Sequence, residues 1–421
     1  MFKGGRIMLE GEIIKFYREK MGLTQAMLGE GICTTTHVSK IERGKTAYSP
    51  DIITLFSERL GIDIHQEIQS FHLIENLLHQ WHDALIMKKG QQIEAFKTEL
   101  DQMPFIAYTQ YAAHYFLLKA RYYFHHQNLE LAFQTINVVQ KEYTELSAFE
   151  KNLLYHLLGM YYIQINASSS NEDHQKAIQI LKKINIDEYR NEEYYYHLGI
   201  AYHYGKSKIL AYKYTELALA YFKRTNNYLL AISAETVMLL QYGSEVEMDF
   251  IETVKRYTDL IHNCEILGAR DRKAILLNNL GVKYFIRQEY DKAQEYFEKS
   301  MIETENQQSI NYLRRFCNFL EASTEGALLQ KDILIKKLKM AATLAKMLKS
   351  PVHTILIKLF KLKAEKNEIK YYQFLVDEAL PYFYSTNNNF YIEQYGKQLY
   401  LYYIETNQYQ KATELAQSVI V

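Results

Sequence analysis

Cysteine, proline and tryptophan are scarce in this sequence of 421 residues. It contains three cysteines, four prolines and one tryptophan, and the cysteines do not form the close pairs typical of zinc or redox sites. Few, scattered thiols are typical of a reducing compartment, so we expect a cytoplasmic protein without metal or other cofactor. Because proline breaks helices, its scarcity beside 37 tyrosines and 20 phenylalanines favours packed helices.

The chain also lacks a net charge and any long apolar run. Its 49 basic and 49 acidic residues cancel, so a surface for nucleic acid would have to be local. No apolar stretch reaches bilayer length, and the N-terminus lacks the long apolar run typical of a signal peptide, so we expect neither a membrane span nor a secretion signal. A chain of this length exceeds one compact core, which predicts several domains or a repeat array.

Motifs of the common enzyme classes are missing as well. There is no glycine-rich phosphate loop, no H-E-x-x-H metal motif and no serine or cysteine nucleophile in a recognisable context. We therefore expect a binding or regulatory protein and not an enzyme.

Two short helices joined by a turn are predicted between residues 23 and 44. Thr24 is a suitable N-cap for the first helix and Thr34 for the second. Val38 and Ile41 are three residues apart in the second helix and should pack inward, which leaves its other faces free for a partner. A short capped helix with a polar outer face, held by another helix, is the geometry that enters a DNA major groove.

This segment resembles the helix-turn-helix of the Xre/Cro-type repressors. The resemblance is carried by the L-T-Q opening at 23–25 and the V-S-K-I-E-R-G-K run at 38–45, with supporting helices predicted over 10–21 and 50–60. It implies a five-helix DNA-binding domain over residues 1–64. The candidate DNA contacts are Gln25, Thr34, Thr35, Thr36, His37, Ser39, Lys40, Arg43 and Lys45.

We expect different roles for these polar side chains. Thr36 and Lys40 are suited to the edges of bases, because a threonine offers a hydroxyl and a methyl group and a lysine can reach guanine. Gln25, Arg43 and Lys45 would contact phosphates, and the two cations would make binding sensitive to salt.

Residues 65–87 are amphipathic and predict a linker helix anchored by Trp81, the only tryptophan. After it, the chain repeats itself over residues 88–421. Gly281 is followed by Ala293 at the same twelve-residue spacing as Gly199 by Ala211, and small residues at such positions let antiparallel helices approach. This tetratricopeptide pattern predicts an all-α protein whose helical hairpins stack into a right-handed superhelix with a concave inner face.

Such a concave face is suited to an extended peptide. We expect the first helix of each hairpin to line it, with Asn278 three residues before Gly281. An asparagine amide donates and accepts, so it can hold a peptide backbone, although Asn278 could instead only bridge neighbouring helices. The candidate peptide contacts are Asn278, Asn318, Tyr196, His156, Arg121, Lys397, Arg314 and Arg315.

As a whole, the chain resembles the bacterial peptide-pheromone receptors of the PlcR, NprR and Rap type, the RRNPP group. The segment at 33–62 and the N-N-L-G run at 278–281 carry this resemblance, together with the pairing of a helix-turn-helix with tetratricopeptide repeats. It implies a cytoplasmic, quorum-sensing transcription regulator. Such a regulator would be a homodimer that binds a palindromic DNA operator and is gated by a short signalling peptide in the repeat groove.

Two other functions stay open. Rap-like relatives bind a response-regulator protein of a phosphorelay, and this chain could do so instead of, or in addition to, binding DNA. A scaffold whose N-terminal domain binds protein is the other alternative, and the intact I-E-R-G-K run at 41–45 argues against it.

Overall fold

The computed structural model describes residues 10–46, 49–103, 106–165, 171–241 and 250–420. Their regular secondary structure is helical, without a strand, which confirms the all-α fold class. No helix in these ranges is long and apolar enough to cross a membrane.

Contacts divide the chain into two units. The first comprises Met1–Ile165 and Lys176–Tyr194, and the second comprises Asn166–Gln175 and Tyr195–Val421. The helices up to Tyr189 are α1 (Glu10–Lys20), α2 (Gln25–Gly29), α3 (Thr35–Glu42), α4 (Pro50–Leu60), α5 (Ile64–Met87), α6 (Gly90–Asp101), α7 (Ala112–His125), α8 (Leu129–Glu142), α9 (Ala148–Gln164), α10 (Asn171–Leu181) and α11 (Ile186–Tyr189).

The helices after Tyr189 are α12 (Tyr194–Tyr204), α13 (Lys208–Arg224), α14 (Tyr228–Gln241), α15 (Phe250–Ile266), α16 (Arg270–Ile286), α17 (Tyr290–Ile302), α18 (Ile310–Glu325), α19 (Lys331–Met347), α20 (Pro351–Ala364), α21 (Glu368–Phe374), α22 (Leu380–Ser385), α23 (Asn389–Glu405) and α24 (Tyr409–Ile420). Most of them pack against the next helix along the chain. This is the pattern of stacked helical hairpins expected for tetratricopeptide repeats.

Helix α1 lies directly against α3. A Cβ atom on Gly11 would stand 1.9 Å from the carbonyl oxygen of Ile41, so the two backbones can approach this closely only because residue 11 has no side chain. Ile13, Leu28 and Phe56, from three different helices, are fully buried and complete the core of this region.

The predicted linker at 65–87 and the fifth helix of the helix-turn-helix region are one and the same helix. Helix α5 runs unbroken from Ile64 to Met87, and it packs against α1 and α4 and also against α6 and α7. Trp81 is fully buried, with its ring centroid 6.1 Å from that of Tyr115 and 6.2 Å from that of Tyr122. As predicted, the tryptophan anchors this helix.

Small residues set the spacing of the repeat helices. A Cβ atom on Gly281 of α16 would stand 2.7 Å from the ring of Phe297 on α17, and Ala293 is fully buried in the same contact. The Ser300 hydroxyl donates to the carbonyl oxygen of Ala274 at 2.6 Å and joins the two helices again. This confirms the close helix packing that the glycine–alanine spacing predicted.

Gly11→Ala should lower the free energy of unfolding of the helix-turn-helix region by about 3 kcal/mol, because α1 must move away from α3 to admit the methyl group. Thermal unfolding followed by circular dichroism measures the change. Gly90→Ala at the start of α6 is the matched control, since a Cβ atom there meets nothing within 4 Å. If the two variants unfolded alike, the tight α1–α3 contact would be contradicted.

Candidate nucleic-acid interface and repeat groove

Helix α3 is capped at its start and buried along one side. The Thr34 hydroxyl accepts a hydrogen bond from the backbone N–H of His37 at 3.2 Å. Val38 and Ile41 are 0% and 1% exposed. Both features were predicted from the sequence, and they leave the opposite side of α3 facing solvent.

The predicted DNA contacts differ in their exposure. Thr36, Lys40 and Arg43 follow one another at helical spacing on the solvent side, and the Arg43 guanidinium donates to the hydroxyl of Ser39. The exposed members of the set are Thr34, Thr35, Thr36, Lys40, Arg43 and Lys45, whereas Gln25, His37 and Ser39 are half-buried. The helix therefore offers hydroxyl groups near its start and cations towards its end.

A buried carboxylate ties the first three helices together. Glu42 on α3 accepts a bond from Nε of Arg18 on α1 at 2.5 Å and from the amide nitrogen of Gln25 on α2 at 2.8 Å. Arg18 and Glu42 are only 7% and 3% exposed. The hydrogen bond that Arg18 donates to Glu42 raises the pKa of the Arg18 guanidinium, and hydrogen bonds between a guanidinium and a carboxylate are among the strong ones.

Gln25 also has a role inside the domain. One of its amide N–H groups donates to Glu42, and its predicted contact with a phosphate stays a prediction. The I-E-R-G-K run draws attention to its exposed cations, so the buried position of Glu42 is not among the predictions from the sequence. The position of Glu42 directly after the buried Ile41 could have indicated it.

Arg59 of α4 fixes the turn between α2 and α3. Its Nη1 atom donates to the carbonyl oxygens of Leu28 at 2.9 Å and Glu30 at 2.5 Å. These carbonyls lie at the C-terminal end of α2, where helix carbonyl groups lack partners within the helix. The turn is thereby held by a cation that the sequence analysis did not single out.

In the second unit, two predicted peptide contacts lie side by side. Asn318 on α18 donates from its amide nitrogen to the amide oxygen of Asn278 on α16 at 2.9 Å, and both residues are half-buried. The structure therefore brings together the two asparagines that the sequence marked as equivalents. The amino group of Asn278 and the amide oxygen of Asn318 take no part in this bond, so the pair still offers one donor group and one acceptor.

More polar residues follow Asn318 on the same side of α18. Glu321 accepts a bond from the amide nitrogen of Gln394 on α23 at 2.9 Å. Glu325 accepts bonds from Lys363 of α20 at 2.7 Å to each of its oxygens. Together with the asparagine pair, these residues form a polar cluster built from α16, α18, α20 and α23, which we call the α18 cluster.

The two carboxylates of the α18 cluster have different partners and surroundings. Burial raises the pKa of Glu321 to about 7, although the bond from Gln394 and the nearby Lys363 oppose the rise and Glu325 adds to it. Glu325 holds Lys363 directly. The sequence does not single out Glu321 and Glu325, because their partners lie 73 and 38 positions away.

Two of the predicted peptide contacts, both in the first unit, serve the interior of the protein instead. His156 is fully buried and bonds through Nδ1 to the Tyr189 hydroxyl at 2.8 Å, because the short helix α11 covers it. Arg121 is buried and paired with Glu193. Asn278 is predicted from its distance along the chain to the small residue Gly281. The same kind of spacing therefore does not identify groove residues in the first unit.

The remaining four lie in the second unit. Arg315 is buried and donates to the Thr304 hydroxyl, whereas its neighbour Arg314 is exposed, because consecutive residues of a helix face different directions. Lys397 is exposed. Tyr196 is half-buried, and its ring centroid lies 5.9 Å from that of Phe222.

Comparison with known proteins identifies the N-terminal helices and a relative of the chain. Residues 14–66 match a protein family described as helix-turn-helix. The chain is 22% identical over 412 residues to the transcriptional activator NprA of Geobacillus stearothermophilus, which covers 92% of this chain and 96% of NprA. That relative is a regulator of transcription, in agreement with the expectation that this chain is not an enzyme.

Solved structures share the fold. NprR in complex with its cognate peptide NprX matches with a TM-score of 0.64 and 19% identity, covering 82% of this chain and 97% of NprR. A Rap protein complexed with Competence and Sporulation Factor matches with a TM-score of 0.69 and 13% identity, covering 83% and 97%. Residues 14–66 thus form a helix-turn-helix domain, and the predicted resemblance of the whole chain to the RRNPP-type regulators is confirmed.

Proposed function

We propose that this protein is a quorum-sensing transcription regulator that binds DNA through α2 and α3 and is gated by a short peptide bound by its tetratricopeptide repeats. The observation that carries the proposal is the construction of α3. Glu42 and the buried Val38 and Ile41 hold the helix from one side, while Thr35, Thr36 and Lys40 face solvent. A rigid helix with such an outer face is suited to a major groove.

The proposal assigns one task to each part of the chain. Residues 1–64 bind DNA, 65–87 form the linker helix, and 88–421 bind the peptide and form a homodimer. Two helix-turn-helix domains in such a dimer would read the two half-sites of a palindromic operator. The similarity to NprA supports the role in transcription.

Peptide binding is assigned to the side of the repeats that carries Asn278 and Asn318. Their free amide groups can bond a peptide backbone in an extended conformation. NprR, which has a similar fold, was crystallised with a peptide, which supports this assignment. The peptide can change DNA affinity only if it binds two arrangements of the protein unequally.

The first test is selection of DNA by the purified full-length protein from a random duplex pool, with and without a peptide extract of the producing cells. A palindrome enriched only with the extract is expected. A palindrome enriched equally in both samples would keep the DNA-binding function and contradict peptide gating. Enrichment in neither sample would contradict the proposal and favour a response regulator or another protein as the partner.

Lys40→Ala should weaken binding to the selected operator by about 1–3 kcal/mol, because a lysine contact to a base or phosphate is lost. Fluorescence anisotropy with labelled duplex measures the affinity. Lys89→Ala, which removes an exposed cation from the turn before α6, is the matched control and should bind like the wild type. An unchanged affinity of Lys40→Ala, with the helix content intact, would show that Lys40 does not contact DNA.

Asn278→Ala should abolish the response of DNA binding to the peptide extract, because the asparagine pair loses its donor group and its internal bond. Operator binding at increasing extract concentration measures the response. Asn263→Ala changes an exposed asparagine of α15 and should respond normally. A normal response of Asn278→Ala would contradict the assignment of this groove.

A further inference from the structure

The α18 cluster contains more acid than base. Its two carboxylates, Glu321 and Glu325, stand one helical turn apart on the same side of α18, and Lys363 bonds both oxygens of Glu325. Within the described ranges, no lysine or arginine nitrogen lies within 4.0 Å of the Glu321 carboxylate. The hydrogen bond that Glu321 receives comes from Gln394, a neutral amide.

Glu321 could therefore form an ion pair with a cation that comes from outside the protein. Gln394 can stabilise either protonation state, because a carboxylate and a carboxylic acid both accept hydrogen bonds. None of the described titratable and charged groups around Glu321 is a cation in direct contact with it. They are Arg314, Cys317 and Glu325 on α18, Tyr290 on α17, Lys363 on α20, Tyr371 on α21, and Tyr391 and Tyr395 on α23.

Glu321 lies next to the candidate peptide contacts. It lies one turn after Asn318 on the same side of the helix and is half-buried, not sealed. α18 packs against α17, α19 and α20, and α23 packs against α22 and α24, yet the long side chains of Glu321 and Gln394 meet. The two side chains therefore reach towards each other from separate hairpins, over the side of the stack that carries the asparagine pair.

We propose that Glu321 selects a signalling peptide that carries a cationic group, either a lysine or arginine side chain or a free amino terminus. The inference rests on the proposed peptide-binding function and deepens it by naming the chemical class of the ligand. An arriving cation would form an ion pair with the ionised carboxylate, in a half-buried site where such pairs are weakly screened.

Binding of this kind is coupled to release of a proton. Because burial raises the pKa of Glu321 to about 7, a large share of the free protein carries a neutral carboxyl group near that pH. The bound cation favours the ionised form and lowers this pKa, so the proton leaves on binding. Affinity for a peptide with a lysine or arginine side chain, which stays charged over this range, should then rise from about pH 6 to about pH 8 and level off above the pKa of the free protein.

The test uses the full-length protein and pools of short synthetic peptides. The pools are identical except that one position is lysine, alanine or glutamate, and each is prepared with a free or an acetylated amino terminus. Titration calorimetry should show the tightest binding for the pools with a cation. Comparing the acetylated pools separates a side-chain cation from the amino terminus.

Glu321→Gln should weaken binding of the cationic pools by about tenfold or more and leave the acetylated alanine pool unchanged. The glutamine oxygen can still accept the bond from Gln394, so the fold should persist, and thermal unfolding verifies this. Glu298→Gln, which alters an exposed carboxylate of α17, is the matched control and should bind like the wild type.

Proton release provides a second measurement. Calorimetry in two buffers of different ionisation enthalpy should detect a released proton with the wild-type protein near pH 7 and none with Glu321→Gln. Binding without preference for a cation, or an unchanged preference in Glu321→Gln, would overturn this inference alone. A wild-type protein that binds none of the pools would overturn both this inference and the proposed peptide function.

Discussion

The buried carboxylate of Glu42 is the contact on which the solvent-facing surface of α3 depends. It joins α1 through Arg18, α2 through Gln25 and α3 through its own backbone. Removing one partner of such a pair costs about 3–5 kcal/mol, since the other charge is then buried alone. The position of the exposed Thr36 and Lys40 relative to the rest of the domain is therefore determined by buried residues.

In the repeat region, the close packing of the helices depends on small side chains. Its helices approach closely at small residues such as Gly281 and Ala293, where a larger side chain would collide with Phe297. Close helices leave little room for polar groups in the interior, so those that occur there must be bonded to each other. The α18 cluster satisfies this condition for the asparagine pair and for Glu325, and only partly for Glu321.

Between these regions, α5 gives the first unit a continuous element. This helix has 24 residues and packs on α1 and α4 and on α6 and α7. Such a continuous helix transmits a rotation or shift along its length better than a flexible linker would. In the proposed regulator, this rigidity would relate the direction of the DNA-binding domain to the helices that follow it. The buried Trp81 keeps that end of α5 in place.

Features that depend on neighbours along the chain are predictable from the sequence. The caps at Thr24 and Thr34, the buried face of α3 and the close hairpin at Gly281 follow from helical periodicity and side-chain size, which act over a few residues or one hairpin.

The pairing of polar residues is apparent only in the folded protein. Glu42 bonds Arg18 across 24 positions, His156 bonds Tyr189 across 33, and Glu321 bonds Gln394 across 73. Such pairs depend on how separate helices are placed, which local periodicity does not specify. For this reason the sequence predicts ligand contacts for His156 and Arg121, which are buried, and none for Glu321.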